Sequence, residues 1–270
     1  QQFINSEEGR FFVTQYIQNF VKFRPLLKEL VTRDIKTKYR RSVLGVLWTL
    51  LNPLLMMIVL SIVFSNLFRF RIENYPLYIL SGQLIYNFFS EGTSRSMSAV
   101  IDNASLIKKV YIPKYLFAFS RILSSFINLM ASFCALIIVM IFTDARLYYT
   151  VILAVIPIFL LTVFATGIGL ILAAVAVKFR DMIHLYGVLL VALNYLAPII
   201  YPMSILPGKI NFLVRLNPIT QILNVFREVV IYGQLPSAGS VIYSLVMAVI
   251  ALVIGLYVFY KNQDNFILNL

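Results

Sequence analysis

Residues 35–68 read IKTKYRRSVLGVLWTLLNPLLMMIVLSIVFSNLF. The opening IKTKYRRS is basic; from Val43 onward no residue is ionisable, and the run is long enough to cross the roughly 30 Å hydrocarbon core of a bilayer. Lys36, Lys38, Arg40 and Arg41 crowd one end of it, and Lys/Arg clusters beside a span are retained on the cytoplasmic side. The chain therefore enters the membrane from the cytoplasm near Ser42, and that orientation sets every later assignment.

Composition agrees. Of 270 residues 60% are apolar and 13% charged, where a soluble domain carries about a quarter charged residues. The net charge of +12 is distributed by side: of 23 Lys/Arg, 15 fall cytoplasmic on this reading, six outside, and Arg95 and Arg121 within spans. That is positive-inside asymmetry with attraction to anionic lipid, and it leaves no place for nucleic acid. The single cysteine, Cys134, lies in an apolar run and reads as a small hydrophobe. The first forty residues are amphipathic and charged, unlike a cleavable signal peptide.

Before the first span, apolar residues recur at helical spacing over 11–20 and again over 25–39, with Pro25 suited to a first helical turn. A basic amphipathic helix in the cytoplasmic interface is expected, serving either as an anchor or as a gate. The second span, 76–100, is less oily and carries Gln83, Asn87, Glu91 and Arg95. Glu91 and Arg95 are i,i+4 neighbours in the favourable order, either facing a path or resting at the cytoplasmic interface. Residues 102–114, DNASLIKKVYIPK, form a basic cytoplasmic turn. The third span covers 116–142, with Arg121 read as snorkelling to the interface.

The fourth span, 150–177, repeats small residues at Ala165, Gly169 and Ala173, a pattern that lets membrane helices pack closely. The fifth covers 183–203, with the lone His184 near its inner end. Residues 204–240 are outside yet apolar; Asn217-Pro218 reads as a helix start, with Ile219, Ile222, Phe226 and Val230 on a stripe opposite Gln221, Asn224, Arg227 and Glu228. At about fifteen residues that helix is too short to span, so a re-entrant or interfacial pair of helices is expected. The sixth span, 241–260, returns the chain to the cytoplasm, with both termini inside.

No Gly-x-x-x-x-Gly-Lys-Ser/Thr loop, His-Glu-x-x-His or Gly-x-Ser-x-Gly occurs. The 11 carboxylates are scattered, so no catalytic or metal-ligating residue is assigned. Coupled carriers need ionisable groups near the midplane, and only Glu91 and Arg95 approach that. The spans hold Tyr, Phe, Asn, Ser and Thr instead, a lining that can pass a large polar chain without gripping it.

Six stretches taken in order carry a resemblance: LGVLWTLLNPLLMMIVLSIVF (44–64), SGQLIYNFFSEGTSRS (81–96), NASLIKKVYIPK (103–114), KFRD (178–181), LAPIIYPMSILP (196–207) and LNPITQILNVFR (216–227). The chain resembles the permease subunits of ABC-type exporters of O-antigen, capsule and teichoic acid. The resemblance implies an all-α protein of the bacterial cytoplasmic membrane, with 1–42 as cytoplasmic interface and gate helices and 43–270 as a six-helix transmembrane domain whose segment 204–240 is re-entrant. It implies a homodimer working with two copies of a cytoplasmic ATP-binding subunit, with ATP and Mg on that partner and no cofactor on this chain. The cargo implied is an undecaprenyl-linked polysaccharide. It places a gate at Lys36, Lys38, Tyr39, Arg40 and Arg41, ATPase coupling at Asn103, Lys108, Lys109 and Lys114, and an outer gate at Asn217, Pro218, Phe226 and Arg227. The physical reading adds a path of ring faces and polar groups: Tyr86, Phe88, Phe89, Glu91, Arg95, Tyr195 and Tyr201. An ATP-independent channel or carrier, or a membrane enzyme acting on lipid-linked sugar, are the rival readings.

Overall fold

The computed structural model describes residues 22–40, 42–68, 72, 74–110 and 112–269, and every regular element among them is helical. The expected helix over 11–20 and the basic Arg41 lie outside the described residues.

Helix α1, Arg24–Tyr39, begins with Pro in its first turn and buries Leu27, Leu30 and Asp34, one face at i, i+3 and i+7. The chain then turns through Gly45, whose φ of +49° costs glycine no Cβ clash, and a 3₁₀ turn leads into α2, Trp48–Phe68. Asn74, at φ +53°, reverses the chain into α3, Tyr75–Asp102. At 28 residues α3 extends about 42 Å. A one-turn helix α4, Ala104–Ile107, lies in the basic loop. Helices α5, Tyr115–Phe142, and α6, Val155–Lys178, follow, the latter extended at its start by a 3₁₀ segment, Tyr149–Ala154.

Helix α7, Met182–Leu196, is shorter than the span expected over 183–203. Pro198 removes a donor and biases Ala197 to the extended conformation it adopts, with ψ at 141°. After a short 3₁₀ turn, Met203–Ile205, come α8, Gly208–Leu216, and α9, Pro218–Val230. The expected start at Asn217-Pro218 is found: Asn217 Oδ1 accepts from the Ile219 N–H at 3.0 Å. Helix α10, Ala238–Asn262, ends in a 3₁₀ turn, Gln263–Asn265, and a final turn α11, Phe266–Asn269.

Tyr115–Phe142, Tyr149–Lys178 and Ala238–Asn265 are long and apolar enough to cross a membrane, and Trp48–Phe64 and Met182–Leu196 are shorter apolar helices. Helix α3 has the length but carries Gln83, Asn87, Glu91 and Arg95.

Helix α6 is the centre of the packing, touching α3, α5 and α10. Close approach rather than oiliness governs here, since lipid tails are as apolar as the side chains. A Cβ at Gly167 would overlap the Ala251 backbone of α10, and one at Gly255 would overlap the Gly167 carbonyl. On the other side Gly169 makes room for the Ser96 hydroxyl of α3, with Ala165 and Ala173 buried above and below. Phe89 of α3 stacks on Phe164 at 5.6 Å, and Phe133 of α5 meets Phe226 of α9 edge-on at 6.0 Å. Cys134, by contrast, faces outward from α5.

Candidate functional site

Positions 83, 87, 91 and 94 of α3 recur every three or four residues and so share one face. That face forms the floor of an open groove of about 1070 Å³. Trp48, Asn52 and Met56 of α2 line one wall, Asn194 and Tyr195 of α7 the other, with Asn128 and Ser132 of α5 behind and Lys38 and Tyr39 of α1 closing one end. The Tyr86 hydroxyl donates to the Leu190 carbonyl, and the hydroxyls of Thr93 and Tyr186 meet at 2.6 Å, so α3 and α7 are fixed to each other beside the groove. Amides, hydroxyls and ring faces make up most of the lining; charge is confined to Lys38, Glu91 and Arg95 at the α1 end.

That end opens into a second cavity of about 410 Å³ lined by Arg33, Asp34, Lys38, Glu91, Arg95 and Arg121, among others. Asp34, only 4% exposed, is its anchor: Arg121 pairs with it at 2.7 Å, Arg33 at 3.6 Å and Arg95 at 4.0 Å. Glu91 receives Lys38 at 2.7 Å, Arg95 at 3.4 Å and the Asn128 amide at 3.1 Å. Arg33 donates to Asn103 at 3.0 Å, and Arg121 also reaches Asp102 at 3.5 Å. Helix α1 is thus tied by charge to α3 and α5, and each buried charge in the cluster has an opposite partner.

At the other end of α3 lies a different arrangement. The stretch after α7 is non-helical, so its carbonyls need donors from elsewhere. Tyr75 supplies one to Ile200 at 2.8 Å and Tyr78 one to Tyr201 at 2.9 Å. Arg227 of α9 supplies the rest: Nη1 to Pro198 at 2.7 Å and Nη2 to Ile199 at 3.2 Å, with further bonds to the Tyr78 carbonyl at 2.9 Å and Ser81 Oγ at 3.1 Å. Its guanidinium lies 3.5 Å from the Tyr78 ring centroid, a cation–π contact. A Cβ at Gly82 would crowd it.

Of the path residues expected from sequence, Tyr86, Glu91, Arg95 and Tyr195 come together on the groove. Phe88 and Phe89 do not: they point into the core, against Phe126 and Phe164. Tyr201 lies past the end of α7, its hydroxyl donating to the Tyr195 carbonyl at 2.7 Å. Among the expected gate residues Lys38 and Tyr39 reach the groove, while Lys36 and Arg40 are exposed. Asn103 is buried and donates to the Ala99 carbonyl at 2.7 Å; Lys108 and Lys109 are exposed. Lys114 turns toward the chain's end, donating to the Gln263 carbonyl. Asn217 caps α9, Pro218 opens its first turn, and Phe226 is buried.

Arg121 does not snorkel; it is the closest partner of Asp34. Arg227 does not sit on a polar face; it is 3% exposed. Asp34 itself escaped the sequence reading, although a signal existed: it follows Leu27 and Leu30 at helical spacing, an acid on the apolar stripe. Among the described residues, no group of three or more His, Cys, Asp or Glu could hold a metal ion.

A family model described as ABC-2 type transporter matches residues 25–231. The O-antigen export system permease protein RfbA of Myxococcus xanthus is 28% identical over 253 residues, covering 93% of this chain and 97% of that protein. The polysialic acid transport protein KpsM of Escherichia coli is 23% identical over 241 residues, with 88% and 93% covered. The capsule polysaccharide export inner-membrane protein CtrC of Neisseria meningitidis is 21% identical over 252 residues, with 91% and 94% covered. The matched residues include α1, the groove, the charge cluster and the caged Arg227, and the chain belongs to the ABC-2 type transporter family.

Proposed function

We propose that this chain is the transmembrane permease of an ATP-driven exporter that moves a lipid-linked cell-surface polysaccharide outward. The reading rests on the nearly full-length likeness to relatives named for export or transport of O-antigen, polysialic acid and capsule. O-antigen, capsular polysaccharide or a teichoic-acid-like polymer carried on undecaprenyl are the cargoes considered. Two copies of the chain pair into a channel, each contributing the groove of α2, α3 and α7 as half of its wall. A separate cytoplasmic subunit, also in two copies, binds ATP and Mg.

In this arrangement the chain crosses the bacterial inner membrane six times with both termini inside. The α1 end of the groove is the cytoplasmic entrance, and α8 and α9 are re-entrant helices at the outer exit. A hydrated polymer cannot partition into lipid, and the groove supports passage by offering weak, replaceable partners: the amides of Gln83, Asn87 and Asn194 and the rings of Tyr86 and Tyr195. Lys108 and Lys109, exposed on the loop after α3, face the ATPase. The chain performs no chemistry of its own on this reading.

The test is ATP hydrolysis by the chain co-expressed with its neighbouring ATPase and purified in nanodiscs, with and without lipid-linked polysaccharide. A stable complex whose hydrolysis responds to that lipid is expected. If no ATPase co-purifies and the chain alone conducts ions or solutes, an ATP-independent channel takes its place; turnover of the lipid-linked sugar would favour an enzyme.

A further inference from the structure

The end of the chain is joined to the cytoplasmic loop in a way the exporter reading does not require. Phe266, on the single turn α11, is only 2% exposed. It packs edge-on against Phe259 of α10 at 5.2 Å. Both belong to one apolar cluster with Ile107 and Ile112 of the loop, Leu30 of α1, and Leu170, Ala173 and Val177 of α6. Lys114, at the far end of the loop, donates to the Gln263 carbonyl and sits 5.8 Å from the Phe266 ring centroid. The lysine therefore shares the Gln263 carbonyl, in the turn that follows α10, with the Phe266 N–H and meets an aromatic face at once.

We propose that residues 263–269 are a clasp that makes the 104–114 loop and the end of α10 move as one body, so that a partner acting on the loop also acts on the last long helix. This rests on the exporter reading for the identity of that partner, the ATPase. Helices α6 and α10 are locked by the backbone contact of Gly167 with Ala251 and Gly255. A displacement entering at the loop thus passes through Phe266 to α10, and from α10 through the glycine contact to α6 and the core. Apart from the clasp, the loop is held by Leu106, Ile107 and Ile112 on the apolar cluster and by Asn103 at its start. Burial of one phenylalanine is worth about tenfold to a hundredfold in the docked-to-undocked ratio, enough to decide whether the loop transmits or yields. Phe266 and Lys114 are positioning residues here: neither lies on the groove.

The test uses the full chain with its ATPase in nanodiscs, comparing wild type, Phe266→Ala, Phe266→Leu and Lys114→Met. Subunit stoichiometry, hydrolysis without substrate, and stimulation by lipid-linked polysaccharide are read separately. In Phe266→Ala the stoichiometry and unstimulated rate persist while stimulation falls at least about fivefold, the lower end of ordinary coupling factors. Phe266→Leu restores most of it. Amide exchange over 104–112 rises in Phe266→Ala, measured on the purified chain alone, and stays low in Phe266→Leu. Wild-type stimulation in both Phe266→Ala and Lys114→Met overturns the clasp while leaving the exporter reading intact. Should Phe266→Ala fail to assemble, Lys114→Met decides: retained stimulation overturns the clasp, lost stimulation together with raised amide exchange over 104–112 in the chain alone supports it, and lost stimulation with wild-type exchange overturns it in favour of a direct contact with the ATPase. A wild-type chain that recruits no ATPase overturns the exporter reading and the clasp with it, and exchange over 104–112 then reports only packing.

Discussion

Nη1 of Arg227 donates to the Pro198 carbonyl at 2.7 Å, so α9 supplies a hydrogen bond that the break in the chain after α7 leaves open. The same guanidinium serves Tyr78, Ser81 and Ile199, and no carboxylate pairs with it among the described residues. A planar fork with five donors suits this cage, and an ammonium with three does not. Arg227→Lys and Arg227→Met should therefore both destabilise the folded chain by at least about 2 kcal/mol, the cost of leaving buried carbonyls unpaired. Thermal unfolding in detergent checks this; a Lys variant as stable as wild type would show that charge alone suffices.

Asp34 draws Arg121 and Arg95 toward α1, and its own side chain is almost fully buried. Asp34→Asn leaves Arg121 with only the longer and more exposed contact to Asp102 at 3.5 Å among the described carboxylates, and breaking one side of a buried pair costs up to about 3–5 kcal/mol. The double variant Asp34→Asn, Arg121→Met should recover part of that loss. A double-mutant cycle of unfolding midpoints checks it, with a coupling of about 1 kcal/mol or more expected for residues in contact.

Glu91 joins the groove to the cluster. Glu91→Ala or Arg95→Ala should lower polymer export while the protein inserts and purifies normally. Lys38→Ala should change stability by no more than about 1 kcal/mol, since its pair with Glu91 is partly exposed. Export assayed as surface polysaccharide per unit of membrane-inserted protein checks the first two; normal export in both would remove the pair from the path.

The contact of α6 with α10 leaves no volume at Gly167, whereas nothing lies within 4 Å of a Cβ built at Gly187. Gly167→Ala should destabilise by about 1–3 kcal/mol through overpacking. Gly187→Ala, in the open middle of α7, should be neutral or stabilising by up to about 1 kcal/mol. Melting curves of the two variants side by side check both.

Much of this was legible because it is local. The basic end of α1, the i,i+4 pair of Glu91 and Arg95, the Asn217-Pro218 start of α9 and the small residues of α6 depend on spacings within one segment. What was not legible depends on pairs far apart in sequence. Arg227 falls on the polar side of α9 when that helix is read alone, and only Tyr78, Ser81 and Pro198 turn that side inward. Arg121 reads as an interfacial anchor until Asp34 is beside it. Phe88 and Phe89 read as ring faces for a path because sequence gives no rotation about α3; Phe126 and Phe164 fix that rotation. The end of α7 at Leu196 was within reach, since Pro198 marks it, but a continuous apolar run hides a break in the backbone.

The groove carries its charges at one end only, at Lys38, Glu91 and Arg95, and is neutral beyond. On the exporter reading this divides the journey in two. The charged end of the groove meets each polymer once, at entry. Advance happens once per sugar, over amides and rings that every repeat unit can exchange with at nearly equal energy. Such a surface has no deep well to trap any one unit, so processivity comes from uniformity rather than from affinity, and the length of the product is set by the machinery that makes it rather than by the conduit.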